Sequence, residues 1–280
     1  MKSGCSAHPI SADSYQNLLS TLSAAPQPAG ARTCGPATTI VSDRTGIPHR
    51  PLPQSAAMGT LYLVRHGQAS FGADDYDQLS PLGLQQSQQL GRYWHERGQR
   101  FDAVCTGTLR RHVQTLEGIQ TTLPGLPAAQ ALPALNEYDS HALIRCIHPD
   151  PLPPADTPER YRAHFRLLCD AIAQWMSGVI SPAGMPTWEG FADGIRQTLD
   201  QLRRQHPDGD VLVVSSGGPI STAAGLVLGA PAEVSIALNM RIRNTAVTEL
   251  STSPKRLMLQ TFNTLGHLDT PATRDWVTFA

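Results

Sequence analysis

Arg65 and His66 close an apolar run, Leu61 to Gly67, that reads LYLVRHG and is followed at once by Gln68, Ala69 and Ser70. A neutral imidazole at a strand end can attack phosphorus, and an adjacent guanidinium can bind phosphoryl oxygens through paired, charge-assisted hydrogen bonds. The pairing therefore suits phosphoryl transfer. An isolated Arg-His dipeptide after a strand is more often the start of a loop, so other residues have to carry the case. TGTLRRHVQT, residues 106–115, adds Arg110 and Arg111 in a first helical turn, where backbone N–H groups already favour an anion.

The elements that must hold these residues can be read from apolar spacing and end signals. Leu61 to Val64 predicts a buried strand that delivers Arg65 and His66 to the crevice at its end. Ser80 offers an N-cap with Pro81 at the first helical position, and Leu82, Leu90, Tyr93 and Trp94 give a partial apolar face before Gly98. Phe101 to Cys105 predicts a second strand, and Leu109, Val113 and Leu116 recur at helical spacing after it. Residues 148–156 are Pro-rich and read as a loop. Thr157-Pro158-Glu159 then starts a long helix whose Tyr161, Phe165, Leu168, Ile172, Trp175 and Met176 share one face. It has the character of a helical insertion or lid near residues 157–178, its stripe serving packing rather than substrate. A further helix from about Thr187 to His206 feeds the strand Val211 to Ser215, then Gly217-Gly218-Pro219 and a helix ending near Gly229. Two β-like runs, Ile242 to Leu250 and Leu257 to Phe262, close the sheet. Strands alternating with helices predict a layered α/β domain.

Residues 1–57 differ in kind: Ser, Ala, Pro, Gly and Thr dominate, Tyr15 is the one aromatic, and the one helix-like patch runs from Tyr15 to Leu22. Such a stretch buries too little apolar surface to offset its ordering entropy and is expected to be a disordered or loosely attached extension. Met58 directly precedes the first strand and is an alternative native start. The catalytic domain is thus expected over residues 58–280.

A formal net charge of -1 over 280 residues implies no general surface for nucleic acid. The sequence has no apolar stretch of membrane-spanning length and no compact signal core, so a cytoplasmic protein without a membrane partner is expected. The five cysteines, Cys5, Cys34, Cys105, Cys146 and Cys169, lack paired metal-ligand spacing and read as buried or idle thiols.

Taken in order, LYLVRHGQAS, LSPLGLQQSQQLG (79–91), TLRRHVQT, LNEYD (135–139), VLVVSSGGPI (211–220), RNTAVTEL (243–250) and FNTLGHL (262–268) resemble the histidine phosphatase superfamily, the phosphoglycerate mutase-like family. The resemblance spans almost everything after Met58. It implies a three-layer α/β/α sandwich with a mostly parallel central sheet, no metal and no cofactor. It implies that His66 is a nucleophile forming a phosphohistidine and that Arg65 binds the phosphoryl group. The family arginine stands four places before the threonine, which selects Arg111 over Arg110. Glu137 would donate the proton to the leaving oxygen. An alkoxide leaves poorly, so a carboxylic acid of raised pKa suits that task and can later activate water; Asp139 and Glu189 are rival acids. Gln68 and Ser70 are further candidates for substrate contact.

Where the family reads Ser-His-Gly-Gly, this chain has Ser215-Ser216-Gly217-Gly218, so Ser216 stands in place of the second family histidine. A serine hydroxyl still donates one hydrogen bond, and the Gly217 and Gly218 amides can approach an anion at a helix N-terminus. Losing one well-aimed donor costs on the order of 100- to 1000-fold in rate. Three explanations compete: a working variant that relies on Arg65, Arg111 and the glycine amides; another histidine, His267 or His112, taking over; or a weak or inactive phosphoryl-binding module. His267 reads more readily as a structural histidine. The resulting expectation is phosphomonoester hydrolysis of a phosphorylated small molecule or phosphoprotein, with a phosphoglycerate mutase-type phosphotransferase as the alternative.

Overall fold

The computed structural model describes residues 58–70, 77–154 and 156–279. The expected extension over residues 1–57, including its Tyr15 to Leu22 patch, lies outside them. Within them, six strands form one sheet: β1 (Thr60–Arg65), β2 (Ala103–Thr106), β3 (Ala129–Ala131), β4 (Asp210–Ser215), β5 (Val247–Thr252) and β6 (Leu257–Thr264). Their order is β3-β2-β4-β1-β5-β6. Neighbours from β3 to β1 pair in parallel, whereas β5 runs antiparallel to β1 and β6 antiparallel to β5. A parallel strand covered on both faces needs apolar side chains in succession. β4 supplies them: Val211, Leu212, Val213 and Val214 are all fully buried.

Register sets where chemistry can happen. β1 and β4 are parallel neighbours with Arg65 opposite Ser215, so the residues that follow, His66 and Ser216, leave the sheet side by side. The crevice outside the carboxyl ends of such strands is where open α/β sheets bind ligands.

Seven helices accompany the sheet among the described residues: α1 (Pro81–Glu96), α2 (Arg110–Gln120), α3 (Ser140–Ile147), α4 (Pro158–Met176), α5 (Trp188–Gln205), α6 (Gly217–Leu228) and α7 (Ala232–Asn239). α1 and α2 bring Leu90, Trp94, Leu116 and Ile119 onto Val64, Val104, Leu212 and Val214. The intervening strand residues point the other way. That second face takes α6, which touches β1 and β6, with α5 packed against α6. The fold is the expected three-layer sandwich. Ser80 caps α1 by accepting from the Gly83 N–H, with Pro81 at its first position. Gly229, with φ of +61°, ends α6 in the left-handed conformation that glycine adopts without strain.

Three local expectations change. The run from Ile242 begins as a loop, and β5 starts only at Val247, because the backbone of residues 244 and 245 bonds to Thr278, Arg65 and His66 instead of a ladder. Two short helices, α3 and α7, come from segments without a long apolar period; α3 starts where Asp139 accepts from the Ala142 N–H. The stripe on α4 is buried only toward its end, at Ile172 and Trp175, while Tyr161 is exposed. No described helix is long and apolar enough to cross a membrane.

Candidate active site

His66 is buried where β1 ends. Its own N–H donates to the Ser215 carbonyl (2.9 Å), and its carbonyl accepts from Asn244 Nδ2 (3.1 Å) and the Thr245 N–H (3.3 Å). The ring Nδ1 lies 2.7 Å from the Gly67 carbonyl oxygen. A carbonyl only accepts, so Nδ1 carries the proton and Nε2 presents its lone pair. Burial, followed by the positive fields of Arg65 and Arg111 and the neighbouring His112, holds the imidazole pKa well below its ordinary value. The His66 imidazole is therefore neutral across the physiological range.

Two guanidiniums flank it. Arg65 Nη1 donates to the Ile242 carbonyl (2.6 Å) and to the Phe279 carbonyl, which fixes the arginine against the C-terminal segment. Arg111 is buried at the start of α2 while Arg110 is exposed, and this difference separates two residues of identical type. Asp77 organises that helix start: its carboxylate takes Arg111 Nη1 at 2.7 Å and the Arg110 N–H at 2.9 Å. The next turn of α2 ties the loops together, Thr115 Oγ1 accepting from the Gly67 N–H and Gln114 Oε1 from the Leu79 N–H.

Glu137 reaches the same place from the far side. It follows the 3₁₀ turn Pro133–Leu135, which is anchored where Ser215 Oγ donates to the Leu135 carbonyl at 2.7 Å. Glu137 Oε2 accepts from the Gly218 N–H at 3.0 Å, at the N-terminus of α6. A Cβ on Gly218 would lie 2.1 Å from Glu137 Oε1, so only glycine admits the carboxylate here. Burial raises the pKa of Glu137, against the opposing pull of the Gly218 N–H, Arg111 and Arg65. Aromatic packing beside it supplies the burial: Tyr138 contacts Trp175 of α4 and Phe191 of α5. Of the rival acids, Asp139 is spent capping α3 and Glu189 is exposed on α5.

Ser216 and Gly217 sit between these groups at the head of α6, and both are buried. Ser216 Oγ is 2.6 Å from His112 Nε2. Gln68 Oε1 accepts from Ser80 Oγ at 2.8 Å, and the Ser70 N–H donates to the Gln78 carbonyl at 2.8 Å. His267 lies under the site as a support. The Thr245 hydroxyl donates to the Asn244 carbonyl (2.7 Å) and is approached by His267 Nε2 (2.8 Å), so the ring donates to Thr245, a non-glycine residue held at φ of +54°. The structure thus brings together His66, Arg65, Arg111, Glu137, Ser216, Gly217 and Gly218.

Sequence reasoning passed over several residues that hold this constellation. Asn244 belongs to the RNTAVTEL stretch, but its contact with the His66 carbonyl carries no local pattern. Gln86 on α1 donates to the Trp276 carbonyl (2.6 Å) and to Thr278 Oγ1 (2.9 Å), and it accepts from the Gln68 N–H (2.9 Å). Nothing in the run LQQSQQL marks Gln86 out from its neighbours, and only the structure shows it buried.

Residues 61–265 match the sequence profile of the histidine phosphatase superfamily (branch 1). Among solved structures, the chain resembles a variant of phosphoserine phosphatase from Entamoeba histolytica in complex with phosphoserine, with 19% identity, a TM-score of 0.53, and 75% of this chain and 100% of that one covered. It resembles a native mycobacterial glucosyl-3-phosphoglycerate phosphatase at 20% identity and a TM-score of 0.52, covering 74% and 99% of the two chains. A phosphoglycerate mutase from Bacillus anthracis matches at 16% identity and a TM-score of 0.51, covering 75% and 95%. At these identities the structural likeness speaks for the fold, and the profile match over most of the chain speaks for the family. The chain belongs to the histidine phosphatase superfamily, branch 1, and is an enzyme of its phosphatase and mutase kind.

Proposed function

We propose that the chain is a phosphomonoester hydrolase that works through a phosphohistidine on His66. The observation that carries this reading is the hydrogen bond from Nδ1–H of His66 to the Gly67 carbonyl, which leaves Nε2 as the only ring atom able to attack. In the first step Nε2 forms a bond to phosphorus as the ester P–O bond breaks. Glu137, whose pKa burial raises, gives its proton to the departing oxygen, and the alcohol leaves. In the second step the Glu137 carboxylate takes a proton from water, the water oxygen bonds to phosphorus, and the P–N pair returns to Nε2. Arg65, Arg111 and the Gly217 N–H at the head of α6 oppose the charge on the equatorial oxygens in both steps.

A cleft of about 370 Å³ opens beside Glu137, lined by Ala134, Tyr138, Met185, Pro186 and Phe191 among others. Its place next to the proton donor suits it to the alcohol portion of a phosphorylated small molecule. The relatives whose names give phosphoserine phosphatase and glucosyl-3-phosphoglycerate phosphatase support hydrolysis. Likeness to a phosphoglycerate mutase favours a second reading, in which the phosphohistidine returns its group to a sugar acid rather than to water. Release of inorganic phosphate from para-nitrophenyl phosphate and from small phosphorylated metabolites tests the first reading. Turnover in the wild type and loss of it in His66→Ala are expected. Phosphate exchange between sugar acids without net release would select the mutase.

A further inference from the structure

Ser216 holds the position of the second family histidine, yet an imidazole is still present. His112, carried by α2, reaches Ser216 from across the crevice with Nε2 2.6 Å from Oγ. Both residues are fully buried, and the His112 and His66 rings are 5.8 Å apart between centroids. The other ring nitrogen, Nδ1, is buried without a hydrogen-bond partner. A core histidine placed for packing alone uses both nitrogens or gives way to an apolar side chain, because an unpartnered buried polar atom is destabilising. Gly107 makes the placement possible: a Cβ there would fall 2.2 Å from His112 Nδ1 and 2.8 Å from Cε1. Glycine at 107, histidine at 112 and serine at 216 thus form one spatial unit drawn from β2–α2 and from the head of α6.

We propose that His112 is the positioning residue that lets Ser216 stand in for the second histidine: Nε2–H donates to Ser216 Oγ and turns the serine hydroxyl hydrogen toward a phosphoryl oxygen on His66. Nδ1 has no partner in either tautomer, and placing the proton on Nε2 leaves a bare nitrogen there instead of a buried N–H without an acceptor. A serine alone can spend its single O–H on any nearby acceptor. With its lone pair occupied by the imidazole, the hydroxyl keeps one direction in which to donate. No proton leaves His112, which stays neutral because burial and Arg111 hold its pKa down at about 3. The inference rests on the phosphohistidine reading and deepens it by naming how the departure at Ser216 is accommodated.

The test is a double-mutant cycle on the full chain, with kcat, KM and the dissociation constant for orthovanadate measured in each variant. Ser216→Ala and His112→Leu are each expected to lower kcat by about 100-fold. His112→Leu on the Ser216→Ala background is expected to change little more, since a residue that acts through a hydroxyl has nothing to act on once the hydroxyl is gone. A merely structural histidine would give additive losses, and additivity overturns the inference. His112→Gln, whose amide N–H can replace Nε2–H, is expected to regain most of the rate, whereas His112→Asn, whose amide lies nearer the place of Nδ1, is not. If His112→Leu fails to fold, the Gln and Asn variants decide, and equal rates in the two overturn the inference. A wild type that depends on His66 but is unmoved by His112 substitution overturns this inference alone. A wild type that neither turns over nor binds vanadate overturns the phosphatase reading together with it.

Discussion

In the proposed mechanism His66 attacks only while Nδ1 holds the proton and Nε2 is bare, and a single carbonyl, that of Gly67, enforces the arrangement. The same proposal sets Glu137 the opposite requirement, that it be protonated when the ester bond breaks. Burial raises its pKa, so its acid form persists to higher pH than in an ordinary glutamate, and the rate should fall on the alkaline side as that form is lost. Glu137→Gln removes the proton but keeps the shape. It should slow hydrolysis of alkyl phosphates by about 100-fold or more while affecting para-nitrophenyl phosphate far less, because a phenolate departs without help. Equal losses on both substrates would assign the protonation to another group. At this scale the sequence is readable where chemistry is contiguous, as in Arg65-His66-Gly67. It is unreadable where two residues 104 positions apart meet, as do His112 and Ser216. Neither residue carries a local sign that the other will face it.

Elements decide how dry the site is. α4 brings Trp175 against Tyr138, and α5 brings Phe191 to the same ring, so helices that carry none of the proposed reacting groups desolvate Glu137. Trp175→Leu opens this cluster and should lower the Glu137 pKa, which moves the alkaline limb of kcat to lower pH; an unmoved limb would place the cause of the shift elsewhere. Gly218→Ala sets a methyl group 2.1 Å from Glu137 Oε1 and should lower kcat through displacement of the carboxylate, with the unfolding temperature as the control. The long helices and the central strands were legible because caps and apolar periods agree, as with Ser80, Pro81 and Gly98 around α1. α3 and α7, of eight residues each, were not, because two turns of helix give too short a period to stand out. β5 starts later than Ile242 for a different reason: Arg243, Asn244 and Thr245 are polar in succession, and the backbones of the last two serve the His66 loop.

For the domain as a whole, burying neutral histidines ties stability to pH. His112 and His267 are both depressed by burial from 6.5 to about 3. The unfolded chain binds their protons below pH 6.5 and the folded chain does not, so stability is full above 6.5 and falls as the pH drops toward 3. The slope is about 1.4 kcal/mol per pH unit for each histidine. Calorimetry between pH 7 and 4.5 should show a falling unfolding temperature, and His267→Gln, which keeps a donor for Thr245, should flatten the slope by about one proton. An unchanged slope would show that His267 does not titrate on unfolding. The order of the motifs along the chain and the three-layer fold were both readable from the sequence. The closing of the C-terminal segment onto Arg65, through Phe279, was not, because a backbone carbonyl leaves no signature in residue types. The most direct measurement is a rapid alkaline quench during turnover, followed by peptide mass analysis. The phosphohistidine route predicts an acid-labile, alkali-stable phosphoryl group on the peptide bearing His66, formed in a burst and absent in His66→Ala. Steady turnover with no phosphorylated histidine, undiminished in His66→Ala, would contradict it.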